Sequence, residues 1–336
     1  MSRLCLGVDV GSISINTVVM DAERHIVENH YTWCHGRPFH RLEELLAGIL
    51  SRRADDEFPV LAFTGTGGAL ASELLGGQFV NEVVAQSSAV IALYPQARSV
   101  IEMGGEDSKL IMIDRGANGE VQLQDFAMNS MCAAGTGSFL DQQATRIGVS
   151  IEREFGELAL KSQNPPRIAG RCSVFAKSDM IHLQQIATPV HDIVAGLCFA
   201  VARNFKSNLA RGKEIRKPVL FQGGVAANAG MVRAFRELLE LGEGELIIPE
   251  YHASMGAIGA LYHVLDREGG QDGRDGEDGK LTGGSRFSVA ISPTAEARGT
   301  PSSLCGTRGF FLSKSRTSNS PTASVAASIL DSTSGA

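Results

Sequence analysis

The chain has 336 residues, 43% of them hydrophobic, 20% charged and 6% aromatic, a globular composition with enough aliphatic material for a sizeable core. Lys and Arg number 31 against 37 for Asp and Glu, a net charge of −6, so no nucleic-acid partner is expected. No apolar run reaches the ~18 residues of a membrane span and Asp9 interrupts the short apolar stretch at the N-terminus, so neither a membrane nor a secretory signal is expected and the chain is placed in the cytoplasm.

Leu4 to Val10 predicts a short apolar strand, Ile15 to Met20 a second after a Gly-Ser turn, and Ile26 to Trp33 a third, together a meander. A helix is expected from about His40 to Arg53, then a buried strand at Val60–Phe63. The theme returns at Ser99–Met103, Lys109–Asp114 and Glu120–Phe126, with a GANG turn before the last strand. Helices dominate from Ala133 to Arg211, among them Ala133–Ile147 and Val174–Gln185. Pro218–Phe221 reads as a buried strand, Asn228–Leu241 as a helix, Glu245–Ile248 as a strand and Ala253–Asp266 as a closing helix. Two halves that each open on a strand meander point to an internal duplication, split near residues 95–100 of a folded unit spanning 1–267. From Glu268 to Ala336 the composition changes: 24 of 69 residues are Gly or Ser and no period survives, which predicts a disordered tail.

Three glycine turns stand out. Gly7-Val8-Asp9-Val10-Gly11-Ser12 lies between two strands, where Gly11 lets backbone amides approach a phosphate, Ser12 can donate a hydroxyl and Asp9 can hold Mg²⁺ through water. Glu102-Met103-Gly104-Gly105-Glu106-Asp107-Ser108 repeats the strand–glycine–strand theme with acids beside the glycines. Phe221-Gln222-Gly223-Gly224 follows a buried strand and precedes a helix containing Asn228, a place where a nucleoside could lie against the backbone. Each turn serves equally well as plain chain reversal. Their order resembles the nucleotide site of the superfamily that holds actin, sugar kinases and heat-shock ATPases. There, two hairpins clamp phosphates and metal, and the third motif holds adenosine. Neither GxxxxGK[ST] nor GxGxxG occurs.

Six cysteines in a cytoplasmic chain read as packing, metal ligands or nucleophiles rather than disulfides. Cys132, in MCAAGTGSF, and Cys172, in GRCSVFAKSD, each stand just before a predicted helix. A thiolate at such a helix end is stabilised by the macrodipole, and so is an anionic cluster. Two thiolates cannot complete an iron–sulfur cube that takes four, whereas a symmetric dimer could supply them. A pair of buried structural cysteines is the competing reading.

CAAGTGSFLD followed forty residues on by RCSVFAKSDMI closely resembles the ATP-dependent activators of 2-hydroxyacyl-CoA dehydratases, relatives of the ATPase subunits of benzoyl-CoA reductase. LGVDVGS, FTGTGG, EMGGEDSKLI, FQGGVAANAGMV and HASMGAIGALY fall in the family's order, so the likeness covers about residues 3–265. It implies an α/β fold, a duplicated actin-like or sugar-kinase-like ATPase with two subdomains around a nucleotide cleft. It further implies ATP, Mg²⁺ and one [4Fe–4S] cluster shared by a homodimer through Cys132 and Cys172 of each chain. A ferredoxin- or flavodoxin-type donor would feed the cluster, and a 2-hydroxyacyl-CoA dehydratase or related reductase would receive a low-potential electron. Asp9, Glu102, Glu106 and Asp107 would take the catalytic positions, with Asp9 on the metal. Gly11, Ser12, Gly104, Gly105, Gly135, Thr136 and Gly137 would lie near the phosphates, and Gly223, Gly224 and Asn228 near the nucleoside.

Two departures from the family pattern stand in the second turn: Glu102 replaces the usual Asp, and Glu106 occupies a position where many relatives carry Gln. Glu106 would add charge beside the γ-phosphate. Of the other candidates, Cys5 is expected in a core strand, Cys198 in a core helix and Cys305 in the tail, while Cys34 reads as a surface thiol or a second redox site. His182 and His191 lack zinc spacing, and Asp107 with Lys109 reads as a kinase-like pair or a structural ion pair. A small-molecule kinase or a nucleotide-binding iron–sulfur regulator would share the clamp, but a kinase leaves the two helix-end cysteines unexplained.

Overall fold

The computed structural model describes residues 2–116, 121–129, 134–271, 286–288 and 313–315. The first half runs β1 (Arg3–Val10), β2 (Ser14–Met20), β3 (Ile26–Trp33), α1 (Pro38–Arg52), β4 (Glu57–Thr64), α2 (Gly68–Leu75), β5 (Gln78–Phe79) and α3 (Glu82–Leu93). The second runs β6 (Ser99–Met103), β7 (Ser108–Arg115), β8 (Val121–Asn129), α4 (Gly137–Ile147), α5 (Phe155–Lys161), α6 (Ser173–Gln185), α7 (Val190–Asn208), β9 (Val219–Gln222), α8 (Ala229–Leu238), β10 (Leu246–Ile247) and α9 (Met255–Gln271). Two three-residue strands, β11 (Arg286–Ser288) and β12 (Ser313–Ser315), pair antiparallel as a separate two-stranded sheet, with β11 beside β4.

The strand order repeats: β3-β2-β1-β4-β5 in one sheet, and in the other β8-β7-β6-β9-β10. Each begins with an antiparallel meander and adds two parallel strands through helical crossovers. This is the doubled α/β architecture that the resemblance implied.

Period-2 alternation assigns the faces. Leu4, Leu6, Val8 and Val10 of β1 pack outward with Leu42, Ile49 and Ala71 of α1 and α2, while Cys5 faces inward with Val18 and Met20. Between the sheets lie α3 and α9, whose Val83, Ala85, Ala89, Ile258 and Leu261 share one core with Val100, Ile111 and Leu220 of the second sheet. Helices α4 to α8 cover the outer face of that sheet through Phe139, Phe155, Phe205 and Phe235. The two inner helices meet closely, since a Cβ added at Gly259 would stand 1.7 Å from the Ala85 carbonyl oxygen.

Several expected boundaries move, each for a local reason. Helix α4 starts at Gly137, not Ala133, because Gly135 sits at φ +101 and Thr136 is extended (φ −129, ψ 174); neither continues a helix. Asn228 is the N-cap of α8, accepting from Gly230 N–H at 3.0 Å and Met231 N–H at 3.2 Å, rather than its first residue. Pro218 precedes β9, and α9 continues to Gln271, beyond the expected end of the folded unit. Helices α2 and α3 and strand β5 complete segments that sequence reading left unassigned. Residues 117–119 of the GANG turn and Cys132 lie outside the described residues, as does most of the stretch expected to be a disordered tail.

Candidate functional site

The tips of the two meanders meet. The β1–β2 turn is closed by Gly11 N–H donating to the Ser14 carbonyl at 3.0 Å, and the β6–β7 turn by Gly104 N–H donating to the Asp107 carbonyl at 3.0 Å. They touch directly: a Cβ on Gly105 would lie 2.3 Å from Ile13 Cγ1. The start of α4 is tied to the second turn by Gly137 N–H to Gly104 O at 2.9 Å and Ser138 N–H to Gly105 O at 2.8 Å. The Ser108 hydroxyl donates to Gly135 O at 2.8 Å, and Thr136 is fully buried. Gly223, at φ +92, presses on the Met103 backbone, where a Cβ would stand 2.3 Å from the carbonyl oxygen. The structure thus brings Gly11, Ser12, Gly104, Gly105, Gly135, Thr136, Gly137, Gly223 and Gly224 to one end of both sheets. Asn228 lies just beyond, with its side-chain oxygen engaged in capping α8.

The floor of the cleft is acidic. Asp9 sits between Gly65 and Gly256, and a Cβ on either would stand 2.4 or 2.3 Å from its carboxylate oxygens. Burial, then Glu82 and Glu102, pushes its pKa up to about 7. Glu102 is likewise raised to about 7 by burial, against the pull of Lys109. The Lys109 ammonium is 3% exposed and bonds Asp107 at 2.7 Å, Glu102 at 2.9 Å and Glu82 at 3.1 Å. Burial alone would lower its pKa, but these three carboxylates carry it above the ordinary lysine range. The Asp107–Lys109 pair is therefore part of a buried ion cluster. Glu106 is exposed at the turn tip and takes no part in that cluster.

Oxygen donors surround Asp9. Asn16 and Thr64 are its direct register partners on β2 and β4, so their side chains share its face. Asn16 Oδ1, Thr64 Oγ1 and Gln222 Oε1 are buried without a hydrogen-bond partner. Gln222, the register partner of Glu102, donates to Gln86 of α3. An all-oxygen set with buried acceptors and carboxylates suits Mg²⁺ rather than a softer metal. Among the described residues no three His, Cys, Asp or Glu side chains converge as a direct ligand shell, so a cation here would keep water between itself and Asp9.

Sequence reading missed Glu82, Gln86, Asn16, Thr64, Gly65 and Gly256. Asn81, whose side chain accepts from Val83 N–H at 2.9 Å as the N-cap of α3, was the available signal that Glu82 opens a helix beside the cleft.

Cys172 is the N-cap of α6, half-buried, with a free thiol and no side-chain hydrogen bond to the first turn. Beside it Val174 and Phe175 are 66% and 65% exposed, and Ile181 and Ile186 continue the apolar surface. The other thiols differ. Cys5 and Cys198 are core residues, and burial carries Cys198 up to about 12. Cys34 is not a surface thiol: it is fully buried, and its Sγ donates to the Gly11 carbonyl at 3.6 Å, bracing the first turn.

Residues 6–263 match the model of the BadF/BadG/BcrA/BcrD ATPase family. The chain is 34% identical to the 2-hydroxyisocaproyl-CoA dehydratase activator of Clostridioides difficile over 266 residues, covering 78% of this chain and 94% of that protein. It is 32% identical to the (R)-2-hydroxyglutaryl-CoA dehydratase activating ATPase of Acidaminococcus fermentans, over 78% of this chain and 97% of that protein. The crystallised activator of the 2-hydroxyisocaproyl-CoA dehydratase from Clostridium difficile, with bound ADPNP, superposes with a TM-score of 0.70 at 29% identity, over 82% of this chain and 100% of that one.

Proposed function

The chain belongs to the BadF/BadG/BcrA/BcrD ATPase family, and from that footing we propose that it is an ATP-driven electron donor to a 2-hydroxyacyl-CoA dehydratase or a related reductase. The observation that carries this reading beyond ATP hydrolysis is Cys172, a free thiol capping α6 beside an exposed apolar face. A solvated structural cysteine needs no such face, whereas a ligand at a subunit boundary does. Two chains related by a two-fold axis would cover Val174 and Phe175 and bring four thiolates, Cys132 and Cys172 from each, to one [4Fe–4S] cluster. When bound, that cluster supplies one-electron chemistry at low potential. The N-terminus of α6, where Cys172 makes no side-chain cap, would offer first-turn amides and the positive end of the helix dipole to an anionic group held there.

In the cleft, Gly11, Ser12, Gly104 and Gly105 would present backbone donors to the phosphates of ATP, and Gly223 and Gly224 would lie against the nucleoside. Asp9 would hold hydrated Mg²⁺ with Asn16 and Thr64 beside it, and the metal would neutralise charge on the phosphoryl oxygens. Lys109 keeps Glu102 and Asp107 paired at the edge of this site. Cytoplasmic localisation and a ferredoxin- or flavodoxin-type donor complete the reading. It agrees with the names of the two activators, each of which serves a dehydratase.

The test is anaerobic. Purified protein should be brown and dimeric with four irons per dimer, and Cys172→Ala and Cys132→Ala should each lose iron and dimer together, while Cys198→Ala keeps both. A monomer with a complete cluster would overturn the shared arrangement. Asp9→Ala should lower Mg·ATP hydrolysis by orders of magnitude, and near-normal hydrolysis would remove Asp9 from the site.

A further inference from the structure

Asp9 has no cation of its own. Lys109 bonds Glu82, Glu102 and Asp107, and among the described residues no side-chain cation pairs with Asp9, although burial and its acidic neighbours disfavour its charge. What stands beside it is an amide. Asp9 Oδ2 and Gln86 Nε2 flank one point, the place where a Cβ on Gly256 would stand, at 2.3 and 3.1 Å. The two atoms are therefore at most one water apart, and the missing side chain at Gly256 gives them room to approach. The other end of the Gln86 amide is held: its Oε1 accepts from Gln222 Nε2. Gln222 is fully buried, ends β9 and stands beside Glu102 in register. Glu82, one turn before Gln86 on α3, bonds Lys109 at 3.1 Å. After Gln222 comes the Gly223 turn, whose N–H donates to the His252 carbonyl at 2.8 Å, just ahead of α9. The amide pair thus joins the Asp9 carboxylate of the first half to the strand of the second half that carries the nucleoside turn.

Which end of an amide faces a carboxylate matters. An N–H favours the ionised form, whereas a carbonyl oxygen in the same place opposes it. Gln222 decides the question here, because its N–H takes the Gln86 oxygen and leaves the Gln86 nitrogen on the Asp9 side. Turning the Gln86 amide over would leave a buried donor of Gln222 facing another donor, which is unfavourable. We propose that Gln86 is a positioning residue for ATP hydrolysis, whose amide N–H end steadies the Asp9 carboxylate as the holder of hydrated Mg²⁺, and that Gln222 keeps that end in place. This rests on the reading of Asp9 as the metal carboxylate, and extends the site to α3 and β9. Gln222 acts only through Gln86, so removing both residues should do no more than removing Gln86.

ADP binding is titrated by calorimetry at rising Mg²⁺ concentrations, and without Mg²⁺, for the full chain and its Gln86→Met, Gln222→Met and doubly substituted variants. Gln86→Met should raise the Mg²⁺ concentration needed for half-maximal effect about tenfold and leave Mg²⁺-free ADP binding within about twofold. Gln222→Met frees the Gln86 amide without deleting it and should raise the Mg²⁺ requirement about threefold. The double variant should match Gln86→Met. ATP hydrolysis by Gln86→Met should recover to within about threefold of the wild-type kcat at saturating Mg²⁺, a split that general loosening of the fold would not produce. The proposal is overturned if Gln86→Met keeps the wild-type Mg²⁺ requirement, if it loses Mg²⁺-free binding equally, or if the two substitutions multiply in the double variant. Should Gln86→Met fail to fold, Gln222→Met decides by itself, and an unchanged Mg²⁺ requirement there overturns the proposal. Wild-type protein whose ADP affinity ignores Mg²⁺ would instead sink the metal reading of Asp9, and the proposal with it.

Discussion

Lys109 is the residue on which the cleft floor depends. Four carboxylates, those of Asp9, Glu82, Glu102 and Asp107, crowd a region where burial penalises charge, and Lys109 is the one cation among the described residues that bonds three of them. Removing one partner of a buried ionic network leaves the others uncompensated, which costs about 3–5 kcal/mol. Lys109→Met should therefore lower stability by about that amount in urea unfolding. Glu82→Gln, which removes one acceptor of three and keeps a polar end, should cost about 1 kcal/mol. Equal losses in the two variants would show that the network is not centred on Lys109. Asp9 answers to a different test, because its surroundings are oxygen donors without partners. Mg²⁺ with ADP should raise the melting temperature of the wild type and fail to raise that of Asp9→Asn, since a ligand stabilises only the state that binds it. An equal rise in both would place the metal elsewhere.

At the scale of elements, the cleft is built by pairing strands that carry turns with helices that pack between the sheets. Strand β3, which carries Tyr31 and Trp33, is pinned to α1 by Glu28. Its carboxylate accepts from Arg53 Nε at 2.7 Å and Arg52 Nη2 at 3.0 Å, and contacts His30 Nε2 at 2.9 Å. Burial raises the pKa of Glu28, but these hydrogen bonds outweigh it and carry the group down to about 2. A depressed carboxylate pKa means that the unfolded chain binds the proton more readily. The stabilisation is thus complete above about pH 4.5 and is lost as pH falls through about 2. Because the Arg52 side chain is 53% exposed, solvent screening leaves about 1–2 kcal/mol. Glu28→Gln should lose that much at pH 7 and progressively less as pH falls from about 4.5 through about 2, and a pH-independent difference would contradict the ion-pair account. Where α3 crosses α9, shape decides instead of charge. Any Cβ at Gly259 meets the Ala85 carbonyl, so Gly259→Val should overpack the crossing and cost about 3 kcal/mol. A neutral result would mean that the helices can separate freely.

Over the whole molecule, most of the architecture was readable in the sequence because each half announces itself by alternation and by glycine turns at fixed places. Strands β1, β3 and β6 fell within a residue of expectation, and helix α6 began where Cys172 said it would. What was not readable arose from contacts between distant segments. Glu82 and Gln86 look like ordinary helix residues until β7 brings Lys109 and β9 brings Gln222 against them. Cys34 looked exposed beside His35 and is buried because its thiol meets the Gly11 turn. Tyr31 reads as an edge-strand residue until the second half places Gly224 before it. The same cores decide where the folded unit ends. The core between the sheets reaches Val264, with Leu265 packed against it. Helix α9 continues to Gln271, so a chain ending at Gln271 keeps every core contact that burial assigns. It should unfold within about 0.5 kcal/mol of the full chain and hydrolyse ATP within about twofold of it. A melting temperature several degrees lower, or loss of ATP turnover, would show that residues after 271 pack on the sheets and complete the site.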